Sequence, residues 1–476
     1  MSTVSLEAQH KRWDMSVLSA ILQKDNELCD AFRDRLRTDV TLSRSLVSYQ
    51  ASKATARYRW YKYKEAFSPG LIEVLLSRFG ITAGRVLDPF AGSGTTLFAA
   101  SQRALDADGI ELLPIGQDII KTRLLVEQGI STSVVSRLQT WVTSRPWECF
   151  PRKIPLATLR ITQGAYPSET VDAIEKYTAA AAEEANIVAI ILRFALLCIL
   201  ETVSYTRKDG QYLRWDTRAG RRNGIKSFNK GAIPSFSAAM TAKLSEIISD
   251  IATKGWGTES LTSVPKHGAI TLLEGSVFNA LPMLMTESYD AVITSPPYCN
   301  RYDYTRTYAL ELAALGLSEQ EMSELRQSML SCTVENRSKD LLAINPNWSH
   351  ALDIAGKVAV LQAIMGYLES ERTMGHLNNN GIPRMVGGYF LEMACVISEC
   401  FRLLKRGGHM FMVNDNVRYA GAAIPVDLIL SRIAESLGFT IDNILVLPSG
   451  KGNSSQQMGH HGRVSLRKCV YVWSKP

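Results

Sequence analysis

The chain has 476 residues, 46% hydrophobic and 21% charged, with a mean hydropathy near zero, a balance that excludes a disordered or fibrous protein and predicts a globular one with a large core. Its net charge of +7 and pI near 8.9 suit a polyanionic partner. The eight cysteines form no Cys-x-x-Cys pair, so neither a zinc site nor a disulfide framework is expected, and a reducing cytoplasm fits. The N-terminus lacks a signal-peptide layout, and the most apolar stretch, 186–200, is short and carries Arg193, so a buried helix rather than a membrane span is expected.

In residues 1–56, Val17, Leu18, Ile21 and Leu22, then Leu28, Ala31, Phe32 and Leu36, recur at helical spacing and predict two or three amphipathic helices. The stretch 58–67 concentrates aromatic and basic residues ahead of a helix over 70–79, whose start Ser68 can cap and Pro69 favours. The apolar run Arg85-Val86-Leu87 then leads into Asp88-Pro89-Phe90-Ala91-Gly92-Ser93-Gly94-Thr95-Thr96, followed by a helical Leu97-Phe98-Ala99-Ala100. Such a strand, turn and helix can cradle a cofactor. Gly92 and Gly94 permit dihedrals and close approach that a Cβ forbids, and the helix start beyond them offers free N–H groups. About 20 residues further on, a second strand ends at Glu111, where a carboxylate can accept both hydroxyls of a ribose. Residues 114–127 read as the next helix.

A third strand appears only at 269–276, far beyond ordinary connection lengths, so 129–266 holds an inserted lobe with helices over 170–184, 186–205 and 236–253. Within it lie Arg207, Lys208, Arg214, Arg218, Arg221, Arg222, Lys226 and Lys230 against only Asp209 and Asp216, interleaved with Tyr212, Trp215 and Phe228. That composition suits a glycine-broken loop contacting phosphates; its alternative is a solvated basic surface. The strand Tyr289-Asp290-Ala291-Val292-Ile293-Thr294 then ends in Ser295-Pro296-Pro297-Tyr298. Two prolines cannot continue a ladder, so a hydroxyl and a phenol are held stiffly beside the strand's carboxyl end, where doubly wound sheets bind ligands. A second insertion, 304–385, predicts two or three helices and a wall of the substrate cleft. A helix over 389–404, a Lys405-Arg406-Gly407-Gly408 turn, a strand over 409–413, a helix over 423–437 and two closing strands, 444–447 and 469–473, complete the chain.

With both loops present, the sequence resembles the S-adenosylmethionine-dependent DNA amino-methyltransferases, which carry a DPF-x-GSGT cofactor loop and a (Ser/Asp/Asn)-Pro-Pro-(Tyr/Phe/Trp) catalytic loop. The resemblance covers 57–128, 267–303 and 386–476, about half the chain, and leaves the 1–56 region and both insertions uncovered. It implies a Rossmann-like doubly wound α/β domain of about seven strands, S-adenosylmethionine (AdoMet) as cofactor, no metal, and double-stranded DNA as substrate, with a cognate restriction endonuclease as partner. The cofactor residues it implies are Phe67, Ser68, Asp88, Pro89, Phe90, Gly92, Ser93, Gly94, Thr95, Thr96, Glu111, Ser276 and Thr294. In the family an Asp follows the glycine after the third strand and holds the adenine amine. Ser276 departs from that pattern, leaving the contact to Ser276 itself, Asn279 or a backbone group.

The implied chemistry is methyl transfer to an exocyclic base amine, a poor nucleophile because its lone pair is delocalised into the ring. Ser295 Oγ and the Pro296 carbonyl would accept its two N–H groups and aim the lone pair at the sulfonium methyl, with Tyr298 stacked on a flipped-out base. Ser at the first position favours cytosine N4 over the alternative, adenine N6. An RNA base methyltransferase and a non-catalytic AdoMet-binding subunit are the remaining readings.

Overall fold

The computed structural model describes residues 15–209, 212–221, 227–252, 267–448 and 466–476. Its centre is a sheet of β1 (Leu36–Thr38), β2 (Arg85–Asp88), β3 (Asp106–Glu111), β4 (Ile270–Glu274), β5 (Tyr289–Thr294), β6 (Leu404–Asp415), β7 (Thr440–Val446) and β8 (Lys468–Ser474). In space they run β1-β7-β8-β6-β5-β2-β3-β4. All neighbours are parallel except β8, which lies antiparallel between β6 and β7. The eighth strand is β1, where a second N-terminal helix was expected. Leu36–Thr38 instead pairs with Ile444–Val446 and covers what would otherwise be an open sheet edge. Only one α-helix, Met15–Ala31, forms in the described part of 1–56.

Side chains alternate across the strands, and two apolar layers follow from that period of two. Leu87, Val292, Met410 and Met412 face the helices Ile382–Leu403 and Val426–Ser436. Val86, Ala291, Ile293, Phe411 and Val413 face the helices Pro69–Arg78 and Thr95–Ser101. A third apolar cluster joins Thr132–Ser144, Ser168–Ala181, Asn186–Val203 and Phe236–Ala252 to Tyr61, Tyr63 and Ile115 of the sheet domain. Asn186–Val203 is long and apolar enough to cross a membrane, but most of its apolar side chains, from Val188 to Val203, are buried in this cluster.

Three other expectations shift. The helix expected from 389 begins at Ile382, because Pro383 sits favourably in its first turn and Met385 and Val386 extend its buried stripe. Residues 405–408, expected to be a turn, bulge within β6: Tyr289 pairs with Leu404 and Ala291 with His409, and Gly407 supplies the left-handed φ of 76°. Residues 304–381 form six α-helices, from Tyr304–Thr307 to Ala359–Thr373, and one 3-10 turn rather than two or three helices.

Candidate cofactor and catalytic site

The chain enters the sheet core at β2, steps outward to β3 and β4, then returns to β5 on the other side of β2, so the strand order reverses between β2 and β5. That switch point leaves a crevice at the strands' carboxyl ends. Asp88 ends β2, Thr294 ends β5 and Glu111 ends β3, and all three are buried. The cleft above them, open to solvent on one side, spans about 770 Å³.

Its floor is the glycine turn. Gly92 and Gly94 take φ of 55° and 76°, and a Cβ on Gly92 would sit 3.2 Å from the Tyr63 ring across the cleft. Gly94 opens the helix Thr95–Ser101, and a Cβ there would meet Ile120 Cγ1 at 2.8 Å and Phe98 Cε2 at 3.0 Å, so packing demands glycine there in addition to the positive φ.

Asp88 ties the two loops together. Thr96 Oγ1 and Thr294 Oγ1 each donate to its carboxylate at 2.7 Å, and the Phe90 N–H adds a third bond. Burial pushes Asp88 up to about 6 despite these bonds. Glu111 accepts from Gly92 N at 2.6 Å and Leu113 N at 2.7 Å, which pins the glycine turn to the end of β3. Burial drives it up to about 8, against the pull of those two N–H groups.

Of the residues expected at the site, Phe67, Asp88, Pro89, Phe90, Gly92, Ser93, Thr95, Glu111, Ser295 and Pro297 line this one cleft. Thr96 and Thr294 act behind it through Asp88. Ser68 stands at the start of the helix Pro69–Arg78, but its buried hydroxyl makes no capping bond. Ser276 turns its hydroxyl to the Ser328 carbonyl at 3.0 Å, while its neighbours Gly275 and Val277 face the cleft. Tyr298 lies beside Ser295 and Lys468, outside the cleft lining. Its hydroxyl lies 3.2 Å from Ser295 Oγ and its ring 5.4 Å from Lys468 Nζ. Ser295 Oγ donates both to that hydroxyl and to the Val413 carbonyl, also at 3.2 Å, so its one proton is shared between two acceptors and its lone pairs can accept from the cleft.

The sequence reading missed Tyr63, Glu65, Tyr304 and Met329, which also line the cleft. Glu65 accepts the hydroxyls of Tyr302 and Tyr308, and Tyr63 stacks on Tyr308 at 5.1 Å. A signal existed in the alternation Tyr61-Lys62-Tyr63-Lys64-Glu65, whose carboxylate is the odd member of an aromatic and basic run.

The basic strip is built differently from a free loop. Thr206–Asp209 and Tyr212–Trp215 pair as a hairpin. Lys208, expected on phosphate, is buried in an ion pair with Glu311, donates to Tyr61 at 2.9 Å and lies 4.6 Å over the Tyr308 ring. Thr206 and Lys208 form the buried face of its strand. Lys230 donates to the carbonyls of Glu201, Thr202 and Ser204 at the end of the helix Asn186–Val203, Arg218 forks onto Asp216, and Arg221 reaches the Arg160 and Ile161 carbonyls. Arg207 and Arg214 flank Phe228 nearer the surface. Arg222 and Lys226 lie outside the described residues. Among the described residues no cluster of His, Cys, Asp and Glu is arranged to hold a metal.

A mainly parallel sheet with a glycine turn and a Ser-Pro-Pro loop meeting at its switch point has the architecture of a Rossmann-like methyltransferase. No family model matches the sequence. The chain is 53% identical over 462 residues to Type II methyltransferase M.AvaI of Nostoc sp. and of Anabaena variabilis, covering 97% of this chain and 95% of each relative. It is 40% identical to Type II methyltransferase M.BsoBI of Geobacillus stearothermophilus, over 92% of this chain and 89% of that one. The chain therefore belongs to the Type II DNA methyltransferases and is an enzyme that methylates DNA.

Proposed function

We propose that the chain transfers a methyl group from AdoMet to the N4 amine of a flipped-out cytosine, as the modification enzyme of a restriction-modification pair with a cognate endonuclease. The observation that carries this reading is the bridge Thr96–Asp88–Thr294, which locks the glycine turn to the Ser-Pro-Pro loop so that both open into one cleft. The cleft suits the cofactor. Its floor is a turn that a Cβ would fill, its far end carries the Glu111 carboxyl at ribose position, and its lining holds Glu65 and Asp88 and no Lys or Arg, matching a cation. When bound, AdoMet supplies an electrophilic methyl group.

The chain's own residues then do the rest. Glu111 takes the ribose hydroxyls, Phe67 and the turn around Phe90 pack the apolar parts, and a backbone group near Gly275 takes the adenine edge where Ser276 replaces an acid. Ser295 Oγ and the Pro296 carbonyl accept the two amine N–H groups and hold the nitrogen lone pair in line. Tyr298, beside Ser295, is the residue that stacks on the base. Tyr304 and Met329 of 304–385 form the cleft wall, and the 129–266 lobe, with Arg207 and Arg214 outward, is the DNA-reading face. Adenine N6 is the second reading, since both amines present the same donor pair.

The test is methyl transfer from labelled AdoMet to duplex DNA, with nucleoside mass spectrometry of the product. N4-methylcytosine supports the proposal, N6-methyladenine replaces it with the second reading, and labelling of tRNA alone overturns both.

A further inference from the structure

Glu65 has no role in the chemistry just described, yet it lines the cleft and is held more firmly than a surface acid would be. Both its oxygens accept phenol hydroxyls, one from Tyr302 and one from Tyr308. Burial first, and then Glu65 itself, push both phenols well up, so they remain donors over the physiological range. Among the described residues no Lys or Arg pairs with Glu65. Asp88 and Glu111, the other acids of the cleft, are each engaged by hydroxyl or N–H donors of the glycine turn and the strand ends. Glu65 is thus a clamped carboxylate with neutral partners, facing a space shaped for a ligand.

Its position along the cleft is fixed by those partners. Tyr302 follows the catalytic loop by four residues, and its ring lies 4.8 Å from that of Tyr304, which lines the cleft with Ser295 and Pro297. Glu65 is therefore clamped by the segment that follows the catalytic loop, at the catalytic end of the cleft. In-line transfer requires the sulfonium to be at that end. We infer that Glu65 is a specificity residue whose charge faces the sulfonium, so that the cleft favours the cationic cofactor over its neutral thioether product. This rests on the AdoMet reading above. A fixed charge a few ångströms from a sulfonium in a partly desolvated cleft is worth about tenfold or more in affinity, and nothing for a thioether. Methyl transfer removes that attraction, which promotes product release.

The test is calorimetric titration of the full chain with AdoMet, S-adenosylhomocysteine and sinefungin, in which an amine replaces the sulfonium. Glu65→Gln should weaken AdoMet and sinefungin about tenfold relative to S-adenosylhomocysteine, and Glu65→Asp, which keeps the charge, should restore much of the wild-type ratio. Thermal melting of both variants checks that the phenol clamp survives. Equal weakening of all three ligands would place Glu65 on the shared α-ammonium and overturn the inference. So would unchanged affinities, even with reduced turnover. Failure of the wild type to bind AdoMet at all would instead remove the AdoMet reading itself.

Discussion

Asp88 and Thr294 are 206 residues apart in sequence and joined by a buried 2.7 Å hydrogen bond across the switch point of the sheet. Thr294 donates and Asp88 accepts, so the strand that ends in the catalytic loop is held by the residue that begins the cofactor loop. Thr294→Val keeps the shape and removes the donor, leaving Oδ1 of Asp88 with only the Phe90 N–H. We expect a loss of about 1–3 kcal/mol in urea unfolding, with Thr294→Ser close to wild type. Equal stability of the Val and Ser variants would remove the bond's structural role.

Glu111 gives the ligand-free protein a signed pH dependence. Its folded-state pKa, about 8, lies above its ordinary value of 4.5 because burial disfavours the carboxylate. Its stabilising contribution is therefore complete below about 4.5 and is lost as pH rises through 8. Glu111→Gln cannot ionise, so the stability difference between variant and wild type should move in the variant's favour between pH 5 and pH 8. Denaturant midpoints at three pH values in that window are sufficient, and a difference that stays constant would show that Glu111 does not titrate there.

Lys208 tests whether the basic strip is surface or structure. Its ammonium and Glu311 are almost fully buried together, with Tyr61 and Tyr308 around them. Removing one partner strands the other's charge, so Lys208→Met should cost about 3–5 kcal/mol, and adding Glu311→Gln should recover part of it. A phosphate contact would behave otherwise, lowering DNA affinity and its salt slope while leaving the melting temperature alone.

Much of this architecture was legible in the sequence because the signals were local. The apolar run before Asp88, the turn glycines, the strand ending at Glu111 and the proline-stopped strand at Thr294 all fall where the sequence puts them. What escaped was decided by distant partners. Leu36–Thr38 carries helical spacing but is claimed by the sheet edge at Ile444–Val446. Lys208 reads as one more surface cation until Glu311, 103 residues on, turns it inward. Glu65 shows its character only once Tyr302 and Tyr308 are beside it. No spacing rule within the chain links such pairs.

The last expectation concerns Ser295, where position and chemistry can be separated. Its Oγ lies 3.2 Å from both the Val413 carbonyl and the Tyr298 hydroxyl. Both contacts take the serine proton, so the oxygen presents its lone pairs to the cleft. An amine N–H arriving from the cleft would find an acceptor already oriented. Ser295→Ala removes that acceptor without touching the glycine turn or Glu111, so turnover should fall by about 10²–10³ while AdoMet affinity stays near wild type. Tyr298→Phe keeps the ring and deletes only the hydroxyl that faces Ser295. If the phenol serves to orient Ser295, its loss should slow turnover by roughly the worth of one neutral hydrogen bond, about fivefold. Single-turnover methylation with saturating AdoMet reads the chemical step directly, and wild-type rates in Ser295→Ala would take the serine out of the mechanism.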